Sequence, residues 1–209
     1  MLALTGLSPT RRLRQDFCLD GWKSRGFAPK VVAGNTRPDI EALMDRARGR
    51  CAVIVNADIE MRINAPELKA LMGQAEPSGI FWFRRINHAP GDAIGRPEEW
   101  GIDIFVSDCW PNLGDSGGLR LGAPWWDYWL PVAAIKHGIP LYTVTDQQWF
   151  WHEDHDDRWS EWDWLQTGIE TVRLHELMRP GAVSWTALDC LARELCGRVF
   201  PAHTTVMRP

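Results

Sequence analysis

Apolar residues in the first sixty positions fall into short runs and helically spaced sets that alternate. "LALTGLS" (2–8) is a brief apolar run that fits a buried strand ended by Pro9. In 9–26, Leu13, Phe17 and Trp22 recur at roughly helical spacing, with Pro9 and Thr10 as the start and Gly26 as the end. "FAPKVVAGN" (27–35) predicts a second strand. In 37–49 a helix carries Ile40, Leu43, Met44 and Ala47 along one face, closed by Gly49. "CAVIVNADI" (51–59) predicts the third strand. Strand-helix-strand-helix-strand over so short a span implies a parallel sheet with right-handed crossovers. Ligands of such sheets gather at the carboxyl ends of the strands, where Asn56 and Asp58 stand.

The pattern continues with a helix in 65–74, a strand in 79–87 and a Gly/Pro-bearing loop in 88–100. "GIDIFVSDCW" (101–110) alternates Ile102, Ile104 and Val106 against Asp103, Phe105 and Ser107, which predicts a strand with two unlike faces. A turn cluster follows at 111–118. Residues 119–138 open as a short strand and continue as a helix, with Pro124 near its first turn and Pro131 as a distortion. After a strand in 139–146, residues 147–164 form a loop dense in Trp, His and carboxylates. Two helices close the chain, at 168–178 and 182–200, the second amphipathic through Val183, Leu188, Leu191 and Leu195. No repeat or linker interrupts this order, so one domain over 1–209 is expected.

The 209 residues suffice for one substantial core, and 45% apolar with 24% charged residues is ordinary for a globular protein. A net charge of −4 without a basic block excludes a nucleic-acid footprint. Five scattered cysteines without a CxxC pair indicate neither a zinc knuckle nor a disulfide framework. No apolar stretch is long enough to span a membrane, and the opening run is too short for a signal core, so a cytoplasmic protein with reduced thiols is expected. Thirteen Trp against two Tyr change the picture, because exposed Trp clusters lie flat against sugars, bases or other apolar rings.

Several groups carry candidate chemistry. Asn56 and Asp58, spaced i and i+2, leave a strand on one side, and a carboxylate there is a ligand for Mg²⁺ or Mn²⁺ bridging to a diphosphate. The bland alternative is that Asn and Asp favour turns. Asp127 lies among Trp125, Trp126, Tyr128 and Trp129, where partial desolvation raises a carboxyl toward a useful general base; capping the helix is the structural alternative. His152 and His155, at i and i+3 among acids, offer metal donors but lack the frame of H-E-x-x-H, while Asp156 and Asp157 read as a solvated acidic loop. Arg84, Arg85 and Arg96 either meet phosphates or pair with Glu98 and Glu99. His137 precedes Gly138 at a helix end and reads as structural.

The strand-helix-strand-helix-strand unit ending in the D-x-D-like "VNADI", followed in order by "GIDIF", "GAPWWDYWLP" and "HEDHDD", resembles the GT-A-fold glycosyltransferases over about residues 1–160. That resemblance implies an α/β three-layer sandwich with a mostly parallel central sheet. It implies a nucleotide-binding half in 1–60, a sugar and acceptor half in 79–164, and C-terminal helices in 165–209. It further implies a nucleoside diphosphate sugar donor, a hydroxyl acceptor, and Mn²⁺ or Mg²⁺ held by Asp58 with His152 or His155. Thr5, with Ser8, would lie near the base; Asn56 and Asp103 would touch nucleotide or sugar; Trp125, Trp126 and Trp129 would wall the sugar; Asp127 would face sugar or acceptor as the base. Asn56 departs from the family pattern, since an amide gives up charge against a cation. Two other readings stay open: a non-catalytic carbohydrate- or protein-binding member of the fold, and a metal-dependent hydrolase centred on "HEDHDD" that has no need of Asp58.

Overall fold

The computed structural model describes residues 1–8, 11–33, 36–155, 159–179 and 181–208. Pro9, Thr10, Asp156 and Asp157, expected as a helix start and a solvated loop, lie outside the described residues.

The chain runs β1 (Leu2–Gly6), α1 (Arg12–Ser24), β2 (Ala28–Ala33), α2 (Ile40–Ala47), β3 (Ala52–Val55), β4 (Ile59–Met61), α3 (Ala65–Met72), β5 (Ile80–Phe83), β6 (Ile86–His88) and β7 (Arg96–Pro97). It continues through β8 (Ile104–Ser107), α4 (Trp126–Lys136), β9 (Leu141–Thr143), β10 (Phe150–Glu153), α5 (Glu161–His175), α6 (Trp185–Glu194) and β11 (Thr204–Val206). A seven-stranded sheet has the order β11-β9-β5-β8-β3-β1-β2. Within it only β8 runs antiparallel to its neighbours, β3 and β5. A smaller sheet has the order β4-β10-β6-β7.

Strand alternation makes this a three-layer α/β sandwich, as the resemblance implied. Ala52 and Ile54 of β3 face one core with Ile40, Leu43, Trp126 and Leu188, so α2, α4 and α6 cover that side. Val53 and Val55 face the other core with Cys18, Leu19, Trp22, Leu68 and Leu71, covered by α1 and α3. A sheet buried on both faces explains why its central strands read as continuous apolar runs.

Four expectations need correction. The 79–87 run is two strands, β5 and β6, and the chain changes sheets at Arg84-Arg85. Residues 147–164 are not all loop: β10 pairs with both β4 and β6, and α5 starts at Glu161. That helix start had a readable signal, because the Ser160 hydroxyl accepts from Asp163 N while the Asp163 carboxylate accepts from Ser160 N. Leu119–Leu121 forms no strand, only an isolated bridge between Arg120 and Asp39. A strand near the C-terminus, β11, extends the large sheet beside β9 where only helix was expected. The helix α4 continues through Pro131, which lacks the N–H that would bond the Asp127 carbonyl. No helix among the described residues is long and apolar enough to cross a membrane.

Between the sheets the chain reverses at Asn56–Ile59, with Ile59 N donating to Asn56 O at 3.2 Å. From α1, the buried Trp22 indole N–H donates to Ile59 O at 2.7 Å. Trp22→Phe is expected to keep most of the apolar contact but leave that buried carbonyl unpaired. The cost is about 1–3 kcal/mol, read as a lower midpoint in urea at unchanged m-value.

Candidate functional site

A cleft of about 740 Å³ opens along the carboxyl ends of β1 and β3. Asn56, Asp58, Asp103, Trp126, Asp127, His152 and His155 all line it, although they come from four separate segments of the chain. Strand alternation is not what gathers the first two. Because β3 stops at Val55, the following reversal carries Asn56 and Asp58 to the cleft.

Asp58 is the centre of one end. Its Oδ2 lies 2.9 Å from an Arg11 guanidinium nitrogen, 3.6 Å from His152 Nε2 and 3.7 Å from His155 Nε2. The two imidazoles approach each other at 3.2 Å through the same Nε2 atoms. Register explains His152: β10 runs antiparallel to β4 with His152 opposite Ile59, one residue beyond Asp58. Burial opposes ionisation of Asp58, but hydrogen bonds from His152 and His155 and the charge of Arg11 outweigh it and hold the carboxyl well below its usual range.

These three donors fit a divalent cation. Metal bonds of about 2.0–2.2 Å from one ion put neighbouring donor atoms roughly 3–3.5 Å apart, close to the spacing of the three atoms here. Two imidazoles and one carboxylate suit a first-row transition ion better than Mg²⁺, which favours an all-oxygen shell. Both Nδ1 atoms are buried with no partner among the described residues. Among the described residues, the two histidines cluster with Asp58, the residue that the hydrolase reading had no need of.

Asp103 answers the face question left open by its strand: it is buried and turned into the cleft. The β3–β8 register pairs Val55 with Ile104, so Asn56 and Asp103 are the next residues along, and Asn56 Nδ2 donates to Asp103 Oδ1 at 2.9 Å. The other Asp103 oxygen pairs with Arg85. Arg85 also donates to Asn87 Oδ1 at 2.8 Å, and Asn87 donates to Glu98 at 2.6 Å.

Asp127 lies in the first turn of α4 and accepts from Ile102 N at 3.4 Å. Burial, then the nearby Asp103 charge, raises its pKa from 3.8 to about 8, against smaller lowering effects that include Arg85. The helix is aimed by Trp125, which has φ +71° and precedes Trp126. A bulky residue in that region costs about 1–3 kcal/mol and persists only where the surroundings enforce it. Here the rings of Trp164 at 5.1 Å and Tyr128 at 5.2 Å enclose the indole. Gly122 at the rim has φ +72°, and a Cβ there would come within 3.1 Å of Asn56 Oδ1. Gly6 is equally constrained, since a Cβ would sit 2.1 Å from Pro38 Cδ.

Three expected residues do not line the cleft. Trp125 and Trp129 are fully buried in the core beneath α4, so Trp126 alone of the trio reaches the cleft. Nearly every α4 residue is buried, so indoles on this helix pack inward whichever side they occupy. Thr5 is also buried, while Gly6, Leu7 and Ser8 line the cleft after it. Of the expected arginines, Arg85 and Arg96 line it, whereas Arg84 donates to Cys196 O at 3.2 Å. Sequence reasoning missed Arg11, Arg37 and Trp159. Arg11 had one available signal, its place after a strand whose carboxyl end opens a ligand crevice.

The sheet order and the lone antiparallel β8 define a three-layer α/β sandwich with a mostly parallel central sheet. No protein-family model and no curated protein matches the chain. Among solved structures it is similar to S. aureus TarS 1–349 in complex with UDP-GlcNAc, with a TM-score of 0.56 at 10% identity, over 96% of this chain and 72% of that one. At that identity the likeness is one of fold.

The raised pKa of Asp127 carries a stability consequence. The folded protein holds this proton more tightly than the unfolded chain, so the contribution is complete below about pH 4 and is lost as pH rises through about 8. Asp127→Asn, neutral at every pH, is expected to lose less stability than wild type across that window. Thermal midpoints measured from pH 5 to 9 check it; parallel curves for the two proteins would remove Asp127 as the source.

Proposed function

We propose that this chain is a metal-assisted glycosyltransferase, which takes a sugar from a nucleoside diphosphate donor and passes it to a hydroxyl acceptor. The observation that carries the reading is the pairing, within one cleft, of a three-donor cation site at Asp58 with a protonatable carboxyl at Asp127. The fold likeness to a protein captured with UDP-GlcNAc supports a nucleotide sugar as donor.

In this reading Asp58, His152 and His155 hold the ion, with Mn²⁺ suited to the nitrogen donors and Mg²⁺ less so. When bound, the ion offsets the charge that grows on a leaving diphosphate. Arg11, Arg37 and Arg85 line the same cleft and add fixed positive charge for phosphate oxygens. Gly6, Leu7 and Ser8 take the base side that was assigned to Thr5. Asn56 and Asp103 form one hydrogen-bonded pair that presents an amide and a carboxylate to ribose or sugar hydroxyls. Residues 1–60 then serve the nucleotide, 79–164 the sugar and acceptor, and 165–209 complete the covering helices.

Asp127 is the base. The acceptor oxygen bonds to the anomeric carbon, the bond from that carbon to the diphosphate oxygen breaks with its electron pair leaving on the diphosphate, and the acceptor proton goes to the Asp127 carboxylate. A pKa of about 8 makes the ionised form grow with pH, so kcat/KM is expected to rise through neutrality toward a plateau above pH 8.

A second reading, a binding protein on the same fold, draws on Asn56: its amide replaces a charged ligand and is already engaged with Asp103. Thermal shifts with UDP, GDP, CDP and dTDP, each with and without Mn²⁺, separate the two. The transferase reading expects a Mn²⁺-dependent rise with one nucleotide. At a ligand concentration about a hundred times Kd, the stabilisation is about 2.7 kcal/mol. It should be lost in Asp58→Ala, strongly reduced in His152→Ala, and retained in Asp127→Asn, in which transfer fails. No shift with any nucleotide would favour the binding protein.

A further inference from the structure

The cleft continues past Asp127 into a second hollow of about 230 Å³. Arg85, Glu98, Asp103, Asp127 and Trp159 line both, so the Asp127 carboxyl borders both spaces. Trp159 stands between them, its indole N–H donating to Gly122 O at 3.1 Å. From this residue a run of indoles leads to the surface. Trp159 and Trp164 stack with centroids 6.0 Å apart at 22°, and Trp185 lies 5.9 Å beyond Trp164. Trp159 and Trp185 remain 46% and 45% exposed. Neither ring is needed to fill the core, and leaving that much indole in water forgoes much of the gain from burying it.

The lining of the hollow selects an occupant. Flat indole faces match the C–H faces of a pyranose. Between them stand polar groups already paired with one another: Arg193 with Asp189 at 2.9 Å, Arg85 with Asp103, and Arg85 with Glu98 at 3.9 Å. Such pairs donate to and accept from hydroxyls without requiring a charged ligand. Four carboxyl groups against two guanidinium groups line the hollow, which disfavours a polyanion. An alkyl chain would strand these polar groups without water.

We propose that Trp159, Trp164 and Trp185 form the docking platform of an uncharged saccharide acceptor, stacked on the indoles with one hydroxyl directed at Asp127. The use made of that hydroxyl rests on the transferase reading above; the binding of the saccharide does not.

Saturation-transfer NMR tests this with three kinds of probe: neutral hexoses, N-acetylhexosamines and deoxyhexoses with their short oligomers; a uronic-acid oligosaccharide; and octanol. At least one neutral saccharide is expected to bind, about three- to ten-fold more weakly in Trp185→Ala and with partial rescue in Trp185→Phe. Trp159→Ala provides a second variant, and circular dichroism confirms folding of each. The proposal is overturned by no neutral saccharide binding, by preference for the uronic oligomer or octanol, or by binding that both alanine variants leave unchanged. The nucleotide thermal shift, measured alongside, separates the two readings. Saccharide binding without any nucleotide shift keeps the platform and sinks the transferase; a nucleotide shift without saccharide binding does the reverse.

Discussion

The reversal at Asn56–Ile59 is the constraint from which the site follows. Four residues take the chain from the large sheet into the small one, and both sheets then align on it. On one side, the β3–β8 register delivers Asp103 to Asn56. On the other, the β4–β10 register delivers His152 to Asp58. A slip of one residue in either pairing would turn the corresponding side chain to the opposite face. Trp22 pins the reversal from beneath, so the precision of the site is inherited from the core of α1.

Within the cleft, Asp58, Asp103 and Asp127 sit in three different environments. Asp58 is ionised against burial by one guanidinium and two imidazoles. Asp103 is matched by Arg85 and the Asn56 amide. Asp127 is desolvated beside the Asp103 charge, with weaker support from Ile102 N and Arg85, and it keeps its proton near neutrality. Identical side chains thus differ in how readily they ionise, Asp58 easily and Asp127 reluctantly, through their surroundings alone.

The tryptophans divide in the same way. Trp125 and Trp129 fill the core under α4, and the left-handed backbone at Trp125 sets where Asp127 enters the cleft. Trp126 reaches the cleft floor, and Trp159, Trp164 and Trp185 carry the aromatic surface outward. The dense "WWDYW" run therefore acts mainly by packing, whereas dispersed indoles, separated by a helix start, make the exposed platform.

The sequence by itself determined the alternation of strands and helices, the two-faced burial of "AVIV", and the stop of β3 before Asn56, because these are properties of local periodicity and chain reversal. It also placed a desolvated carboxyl at Asp127, since bulky neighbours exclude water whichever way they point. Tertiary structure alone decided that Arg11 meets Asp58, that Thr5 is buried, that 150–153 is a strand, and that β11 joins the large sheet. Each of those depends on pairing between distant segments, and strands of three or four residues have too little periodicity to declare their partners. Sheet register, which local pattern does not encode, is what turned an ordered series of polar residues into one cleft.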